Sequence, residues 1–580
     1  MLDRIYQKWI EFTTILEHDY EEKIFERIFF YFFLFAFFCY LCILGLQPVR
    51  NTMEARNFKT AEEIVESNEW LVPTLNNEAR ILKPPFPTWS VAAIKMLFHD
   101  TRNLWILRFP NLCIAFFLVF MVWKLAKTLF NARTALFASI MLATSINFLG
   151  DALISRWDMF ACAFGIAGIY SILKMYASTT KKIVVKYFIF SVLFFTLSYF
   201  SKGPAALLTL LGSLYVTWCF ILLLNKIKQN SLTQNIIENY HPFFPKSYKG
   251  WLLLLLIIIS TFLIGNIWWI VIKFQEPEAW TLIFKDIGSL KIKHAEPFYY
   301  YILLSVAYIG IWSVFLIFAF MYPILLFIQK NKLSTIEKKQ QASIYFTWIW
   351  YFIGIIFLSF VSAKKNRYFL MILPTCCLMV AVYADFIVSW IQGKKEKWHY
   401  IIFVLHKYLL SFALICSAIA LIVGIFLGCS LWTLLFIPSL LILSYICYKG
   451  ELQITKFVIE YGWIACWIIL IAFTTLYFGG AFPNRYENAE QVQTITNDDP
   501  LYIACQGNDK LLWAIHREGI FIHINQKFIE NLLGQSRFYI LLPKESEQNI
   551  QSILQKAKKV FTFYEKQTRE TITWNLYQFQ

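Results

Sequence analysis

Apolar runs alternate with short polar segments along most of this chain. A helix needs about 20 mostly apolar residues to cross a bilayer. Thirteen runs approach or exceed this length, near residues 29–46, 105–123, 134–150, 158–177, 186–200, 204–224, 251–272, 299–328, 343–362, 368–391, 401–427, 431–448 and 457–479. The pattern predicts a polytopic α-helical membrane protein with about 13 transmembrane helices, and the odd number places the two termini on opposite sides.

One long polar segment, residues 48–104, interrupts this pattern early in the chain. Phe58, Ala61, Ile64 and Val65 recur at helical spacing among acidic residues, which predicts an amphipathic helix lying on the membrane surface. The stretch TWSVAAIKMLFH predicts a second interfacial helix, and the prolines between the two favour an extended connection. This loop is assigned to a membrane domain of residues 1–479.

The pattern changes again after residue 480. The stretches PLYIACQG, SRFYILLP, KVFTFYEK and TITWNLYQF are typical of short strands, and SEQNIQSILQKAKK is typical of an amphipathic helix. Residues 480–580 are therefore predicted to form a small α/β domain outside the membrane.

Composition and charge agree with a membrane location. The 580 residues are 58% hydrophobic and 16% charged, whereas about a quarter of the residues in an ordinary soluble domain are charged. The formal net charge is +16, but the basic residues fall in short loops between apolar runs. This distribution is typical of membrane topology and argues against nucleic-acid binding.

The distribution of Lys and Arg predicts the orientation in the membrane. Every second loop is basic, within residues 124–133, 174–186, 226–249, 330–339, 394–397 and 449–456. These loops are predicted to be cytoplasmic, as is the N-terminus. The loop 48–104 and the C-terminal domain are then predicted to lie on the outer side.

Several cations fall on the outer side, where topology does not favour them. They include Arg56, Lys83, Arg156, Lys202, Lys364 and Arg367. One explanation is that long side chains reach toward outer lipid headgroups. The other is a cationic cavity at the outer surface that receives a lipid phosphate. Both remain open from the residues alone.

Two of the outer turns carry candidate functional groups. Asp158, near Arg156 in ISRWDMF, either caps the following helix or holds a cation, a sugar hydroxyl or a proton. Lys202 in SKGPAAL precedes a Gly-Pro helix start, and a lysine beside a helix N-terminus forms a compact anion site. Transporters typically have binding sites at the bilayer midplane and an internal repeat. Few charges occur deep in these spans and no internal repeat is apparent, so a transporter is the less favoured class.

A third outer segment, HAEPFYYYI, contains His294 and the tyrosines Tyr299, Tyr300 and Tyr301. Tyrosines at this depth are typical of an interfacial aromatic belt.

These motifs occur together and in order. MEARNFKTAEEIVESNEWLVPTLNNEARILKPPFPTW, ISRWDMF, SKGPAAL, HAEPFYYYI and SAKKNRYFLMILP resemble bacterial C-type membrane glycosyltransferases. The similarity extends over about residues 28–390, and it is closest to the lipid A aminoarabinose transferases and their protein-mannosyltransferase-like relatives. The resemblance implies thirteen spanning helices followed by a periplasmic α/β domain. It also implies transfer of a sugar from a polyprenyl-phosphate carrier at the outer face of the bacterial inner membrane.

The resemblance also implies roles for individual residues. The family has an acidic pair at the start of the first outer loop; here the first position is Met53 and the second is Glu54. Glu54 is therefore the implied catalytic carboxylate, with Asp158 as the alternative, or else Glu54 only pairs with Arg56. Lys83, Lys202 and Arg367 match family positions near the carrier phosphate. Tyr299 and Tyr300 are expected to line the lipid groove.

A metal is not expected. In the aminoarabinose enzyme an acid and a histidine help to hold a metal; here the acidic position is Leu82, while His294 matches the histidine. A zinc site built in the same way lacks one ligand. No cofactor is therefore predicted, although a divalent metal near His294 remains an open alternative.

The expected reaction is a single displacement that inverts the anomeric centre. Cations stabilise the departing polyprenyl phosphate, and a carboxylate acts as a base toward the acceptor hydroxyl. The expected acceptor is lipid A or another envelope glycolipid or glycan, with protein less favoured, and the protein is expected to be a monomer. The alternatives are a transporter or flippase of lipid-linked glycans and a non-catalytic envelope scaffold.

Overall fold

The computed structural model describes most of the chain. The described residues are 22–81, 83–99, 101–204, 207–228, 231–277, 296–328, 338–360, 364–393, 437–449, 454–478, 485–497, 499–505, 508–522, 537–566 and 571–579, with isolated positions within 404–422 and at 529 and 532.

Helices dominate the described part of the chain. The α-helices are α1 (Glu22–Ile43), α2 (Thr52–Ser67), α3 (Phe86–Leu97), α4 (Leu104–Leu129), α5 (Ala132–Ala143), α6 (Ile146–Ala152), α7 (Trp157–Ala177), α8 (Lys181–Lys202), α9 (Ser213–Lys228), α10 (Ser231–Tyr240), α11 (Tyr248–Gly265), α12 (Ile267–Gln275), α13 (Tyr300–Tyr308), α14 (Ser313–Ile328), α15 (Lys338–Ser359), α16 (Leu373–Gly393), α17 (Ile437–Lys449), α18 (Ile454–Phe478), α19 (Gln491–Thr496), α20 (Asp509–Ile515) and α21 (Gln551–Leu554).

Eight strands accompany the helices. They are β1 (Thr74–Leu75), β2 (Glu78–Ala79), β3 (Tyr486–Glu487), β4 (Leu501–Ile503), β5 (Ile520–Phe521), β6 (Phe538–Pro543), β7 (Lys558–Lys566) and β8 (Thr571–Phe579).

The chain divides into two compact units. The first contains Met1–Leu44 and Asn111–Gly479, and the second contains Gly45–Pro110 and Gly480–Gln580. The second unit therefore joins the long polar loop to the C-terminal region, an association that the sequence did not suggest. The domain boundaries predicted from the sequence stay a prediction.

Membrane-spanning character is clear in the described residues. Seven helices there are long and apolar enough to cross a membrane, or up to nine if each of two bent pairs counts as one span. Large apolar side chains on α1, such as Phe30, Leu34 and Phe38, are exposed. By contrast, α7 is buried along almost its whole length. An exposed apolar face on a long helix indicates contact with lipid.

Two spans predicted as single helices are broken. The predicted span 134–150 consists of α5 and α6, which bend by 63°, because Ser145 leaves the helical conformation and caps α6 at its N-terminus. The predicted span 299–328 consists of α13 and α14, which bend by 107°. Gly310 between them has φ +66°, a conformation that favours glycine.

The polar loop folds as two helices and a hairpin in the second unit. The predicted interfacial helices are present as α2 and α3, which pack on each other. Between them, β1 and β2 form a tight turn at Asn76 and Asn77, both with positive φ. The Glu63 carboxylate on α2 accepts hydrogen bonds from the Thr74 hydroxyl and the Asn76 amide, each at 2.6 Å. This buried carboxylate therefore ties the hairpin to α2.

The C-terminal part of the second unit is a six-stranded mixed sheet in the order β3-β7-β8-β6-β4-β5. The four strands predicted from sequence are present as β4, β6, β7 and β8. On β6, Tyr539 and Leu541 pack into one core, whereas Ile540 and Leu542 pack into another. The sheet is therefore covered on both faces, which explains the continuous apolar run in this strand.

The helix predicted from SEQNIQSILQKAKK is wrong in length. The structure has a 3₁₀ segment at Lys544–Ile550 followed by the single turn of α21, and Lys558 already begins β7. The chain leaves the helical conformation because Lys558–Lys566 pairs with β8 along its whole length.

Candidate functional site

In the first unit, Asp158 lies in the first turn of α7. The helix begins after Arg156, which has extended φ and ψ and makes no side-chain cap. The capping role considered for Asp158 is therefore wrong. Its carboxylate is buried and is directed at cations from two other segments of the chain.

The first of these cations is Lys202, the last residue of α8. Its ammonium group donates a hydrogen bond to the Asp158 carboxylate. Gly203 follows with φ +74°, so α8 ends on a residue that tolerates this conformation. The Lys202 Nζ also lies 4.3 Å from the centre of the Tyr368 ring, which adds a cation–π contact.

The second cation is Arg367, on the 3₁₀ segment Asn366–Met371. Its Nε lies 3.9 Å from Asp158 Oδ2, and this nitrogen has no hydrogen-bond partner among the described residues. Lys364 is buried just before the same segment. The structure thus brings together three of the predicted residues, Asp158, Lys202 and Arg367, around one buried carboxylate.

Arg156 belongs to a separate polar group. Its guanidinium pairs with Asp151 at 2.5 Å, and its backbone amide donates to the side-chain oxygen of Asn111 at 3.4 Å. Asn111 in turn donates to the carbonyls of Asp151 and Ala152. This network holds the entry of α7 beside α6, so Arg156 acts on the Asp158 cluster by shaping its backbone.

The predicted tyrosines differ from one another in environment. Tyr299 is exposed, while the Tyr300 hydroxyl donates to Asn366, the residue before Arg367. Tyr301 is buried, and its hydroxyl lies 3.3 Å from the carbonyl oxygen of Lys365. Tyr300 and Tyr301 therefore anchor α13 to the segment that carries Arg367. A role in lining a lipid groove stays a prediction.

An apolar cavity of about 200 Å³ lies close to this cluster in sequence. Its lining includes Phe195, Pro204, Leu211, Tyr215, Trp251 and Ile257. Pro204 is two residues after Lys202, so the cavity begins where the cationic turn ends. A cavity with this lining is suited to a hydrocarbon chain.

In the second unit, Glu54 has a partner that the sequence did not suggest. Arg108 on α4 donates from Nε and from a terminal nitrogen to the two Glu54 oxygens, at 2.8 and 2.9 Å. Each side chain is only 1% exposed. Pairing of Glu54 with Arg56, the alternative considered from sequence, is wrong. A carboxylate held by both oxygens in a buried bidentate pair is primarily a structural group.

Arg56 and Lys83 also lie in the second unit. Arg56 Nε donates to Asp509 Oδ2 at 2.7 Å, which links the start of α2 to the start of α20. The Lys83 ammonium lies 3.6 Å from the sulfur of Met53, the residue at the position where related enzymes carry an acid. Binding of a donor phosphate by these two cations stays a prediction.

A buried charge cluster supports the same part of the second unit. The Glu62 carboxylate on α2 accepts a hydrogen bond from the Arg102 guanidinium. It also lies 3.3 Å from Lys59 Nζ and 3.6 Å from Lys95 Nζ. Burial raises the pKa of Glu62, but the charges of Arg102, Lys59 and Lys95 outweigh burial and lower it below its ordinary value. The cluster therefore fixes α2 against α3 and the start of α4.

The environment of His516, which is influenced by the charges of this cluster, predicts that the stability of the protein depends on pH. Burial, followed by the charge of Arg102, lowers its pKa to about 4, whereas a histidine in an unfolded chain has a pKa of about 6.5. The unfolded chain therefore binds the extra proton first, so the contribution of neutral His516 to stability is present above about pH 6.5 and is lost as the pH falls toward 4.

We expect the thermal midpoint of the purified protein to fall between pH 7 and pH 4.5, and the fall to be smaller in His516→Asn. Asparagine tolerates the positive φ of this position. The full shift corresponds to at most about 3 kcal/mol, reduced by the partial solvent exposure of the ring. Equal pH dependence in the two proteins would contradict this assignment.

Three residues that contact the candidate site residues were not identified as their partners from the sequence. Arg108 and Asp509 are single charged residues without a surrounding motif, and Tyr368 lies within a tyrosine-rich chain. A charge inside the apolar start of α4 was the one available signal for Arg108, because a charge in such a position needs a partner.

The residues implied for a metal lie outside the described part of the chain. These are His294 and the acidic position occupied by Leu82. A leucine side chain offers no ligand atom, so the residues present do not fit the metal site of the related enzymes. Within the residues described, no group of three or more potential metal ligands occurs.

Comparison with known proteins shows which families this chain resembles. The family model for dolichyl-phosphate-mannose-protein mannosyltransferases matches residues 82–264. An uncharacterized protein of Aquifex aeolicus is 26% identical over 357 residues, which are 60% of this chain and 62% of that protein. The undecaprenyl phosphate-α-4-amino-4-deoxy-L-arabinose arabinosyl transferase of Photorhabdus laumondii is 24% identical over 59% of this chain and 56% of its own length. The matches thus span less than two thirds of these relatives.

Solved structures establish the fold. ArnT from Cupriavidus metallidurans, in the apo state and bound to undecaprenyl phosphate, aligns with a TM-score of 0.66 at 13% identity. Each alignment covers 94% of this chain and 97% of ArnT. The resemblance predicted from the motifs is therefore confirmed: the chain has the fold of the C-type membrane glycosyltransferases and is similar in sequence to the bacterial aminoarabinose transferases of that group.

Proposed function

We propose that this protein is a glycosyltransferase that moves a sugar from a polyprenyl-phosphate carrier to an acceptor in the cell envelope. The observation that carries the proposal is the buried Asp158 carboxylate held between Lys202 and Arg367, in a chain with the ArnT fold. ArnT binds undecaprenyl phosphate, and two curated relatives are undecaprenyl-phosphate-dependent arabinosyl transferases.

In the proposed reaction an acceptor oxygen attacks the anomeric carbon of the sugar. The bond between that carbon and the phosphate oxygen breaks, and the electron pair leaves with the polyprenyl phosphate. The proton of the acceptor hydroxyl passes to a carboxylate. Attack opposite the leaving group inverts the anomeric centre.

The cations of the first unit suit the leaving group. Lys202 and Arg367 share Asp158 and are each less than one fifth exposed, so an incoming phosphate would meet two charges already held in place. Preformed charges of this kind stabilise charge that develops in the transition state. Lys364, three residues before Arg367, would add a third cation.

Asp158 is the better candidate for the base. Its carboxylate is held by two cations whose charge a bound donor phosphate would share, which would leave a carboxylate oxygen available for the acceptor proton. Glu54 instead accepts from Arg108 through both oxygens. We therefore assign the base role to Asp158 and a supporting role to Glu54.

The apolar cavity that begins at Pro204 is the proposed place for part of the polyprenyl chain. It is continuous in sequence with the cationic turn, as a carrier with a charged head and a hydrocarbon tail requires. Tyr299 and Tyr300 are proposed to border the path of the lipid. Lys83 is proposed to meet the donor or acceptor from the outer loop.

The proposed topology has thirteen spans, with the N-terminus in the cytoplasm and residues 480–580 in the periplasm of a bacterial cell. Basic residues in alternate loops support this orientation. The proposed acceptor is lipid A or another envelope glycolipid or glycan, and the proposed functional form is a monomer.

The proposal is tested with protein reconstituted in vesicles, supplied with a panel of polyprenyl-phosphate sugars and an envelope lipid extract. Mass spectrometry should detect free polyprenyl phosphate and a glycosylated lipid formed in equal amounts. Recovery of intact donor on the opposite side of the vesicle membrane, without product, would instead indicate a flippase.

Lys202→Ala should lower kcat/KM for the donor by about 10²- to 10³-fold, because it removes a preformed charge at the leaving phosphate. Lys202→Arg, which keeps the charge, should retain much more activity. Initial rates at several donor concentrations measure both variants. Activity of Lys202→Ala within twofold of the wild type would remove Lys202 from the site.

A further inference from the structure

The C-terminal sheet contains a crevice of the kind that often receives ligands. Strand β4 pairs in parallel with β5 on one side and with β6 on the other. From β4 the chain runs to β5 on one side, and it then crosses to β6 on the other side of β4. This arrangement makes a topological switch point at the carboxyl end of β4. In open α/β sheets this point is the usual place for binding.

The helix that follows β4 binds a side chain of the loop 48–104. Asp509 begins α20, the helix that follows β4, and its carboxylate accepts from Arg56 Nε at 2.7 Å. Asp509 is 7% exposed and Arg56 is 36% exposed. The guanidinium of Arg56 thus binds the carboxylate at the start of the helix that follows β4.

Residues 513–519 of the C-terminal region make further contacts with the loop. The Phe58 and Trp513 rings are 5.2 Å apart, and Arg102 donates to the Trp513 carbonyl at 3.0 Å. Asn76 both donates to and accepts from the backbone of Gly519, at 2.8 and 3.1 Å. Residues 509–519 therefore form a continuous docking surface for α2 and its hairpin.

The first turn of α2 carries Glu54, to which the proposed function gives a supporting role. It carries Met53, in contact with Lys83, and Glu54, which is paired with Arg108. Arg56 lies on the same turn, so a displacement of Arg56 also displaces these residues. An ion pair with one buried member is more rigid than an exposed pair, because the buried charge has no water to replace its partner.

We propose that Asp509 is a positioning residue for sugar transfer: it holds Arg56 at the start of α20 and so fixes the first turn of α2. The inference rests on the proposed function. It gives the C-terminal α/β region a role in catalysis, although the region supplies no reacting group. It also replaces direct phosphate binding as the role of Arg56.

Kinetics of Asp509→Asn, Arg56→Gln and the double variant test the proposal. Each single change should lower kcat about tenfold and change the donor KM by less than twofold. The double variant should lose no more activity than either single variant, because both changes remove the same contact. The exchanged pair Arg56→Asp/Asp509→Arg should recover part of kcat. If Asp509→Asn or Arg56→Gln does not fold, the conservative variants Asp509→Glu and Arg56→Lys are measured in its place.

A matched control is available on the same sheet. Lys566 and Glu487 form an ion pair at 2.6 Å, with both side chains about half exposed, so Glu487→Gln removes an ion-paired carboxylate of the same unit that does not contact the loop. Hydrogen exchange followed by mass spectrometry should show faster exchange of residues 52–67 in Asp509→Asn and unchanged exchange in Glu487→Gln.

Two results would overturn the proposal. One is a rise in donor KM in Arg56→Gln that Asp509→Asn does not share, which would mean that Arg56 binds the phosphate itself. The other is unchanged exchange of residues 52–67 in Asp509→Asn. If the wild-type protein transfers no sugar from any donor, the proposed function fails, while the exchange experiment still decides whether Asp509 positions α2.

Discussion

Asp158→Asn should lower the transfer rate by about 10²- to 10⁴-fold, the range expected for loss of a general base. The substitution keeps the shape of the side chain but removes its charge, so it can no longer accept a proton or hold Lys202 and Arg367 as an ion cluster. The measurement is kcat at saturating donor, normalised to folded protein by size-exclusion chromatography.

Asp385→Asn is the matched control for this change. Asp385 is also a buried carboxylate of the first unit, and it binds Arg133 and Asn131. Its partners belong to a loop that is predicted to be cytoplasmic, far from the proposed chemistry. Folded Asp385→Asn protein should keep its activity within about threefold, since ion pairs away from a site act only through stability. Asp158→Asn with more than a tenth of wild-type activity would exclude Asp158 as the base.

The second large effect concerns stability. Glu54→Gln should destabilise the protein by about 3–5 kcal/mol, because the Arg108 charge is then left buried without a counter-charge. Arg108→Met should have a similar effect by stranding Glu54. Thermal unfolding of the purified protein in detergent, followed by tryptophan fluorescence, compares the variants with the wild type.

The double variant Glu54→Gln/Arg108→Met separates structure from catalysis at this pair. Removing both charges leaves no uncompensated charge, so the double change should cost much less than the sum of the single changes. If Glu54 has only a supporting role, folded double variant should transfer sugar within about tenfold of the wild type. A stable but inactive double variant would instead assign the catalytic carboxylate to Glu54.

The fold was largely predictable because its signals are local. The apolar runs of α1, α4 and α7 have the length that a bilayer requires, and the strands β6 and β8 carry a continuous apolar or alternating pattern. The breaks at Ser145 and Gly310 were not predictable from hydropathy, because both residues lie within apolar runs and the bends depend on what packs around them.

The candidate site was predictable in part. The polar turns containing Asp158, Lys202 and Arg367 were identified as functional because cations at the outer ends of spans are unexpected. Their convergence on one carboxylate was not visible, since it requires α7, α8 and the segment before α16 to meet. The partner of Glu54 was predicted wrongly, because a neighbour in sequence, Arg56, was more apparent than Arg108.

By itself the sequence determined that this is a multi-span membrane protein, that its long polar loop is helical and that its C-terminal region is a sheet, because each of these depends on the length and period of nearby residues. The tertiary structure decided which charges meet. Asp158 and Lys202 are 44 residues apart in sequence, Glu54 and Arg108 are 54 apart, and Arg56 and Asp509 are 453 apart. A buried charge must find a counter-charge wherever the folded chain brings one within reach, and no local pattern records that distance.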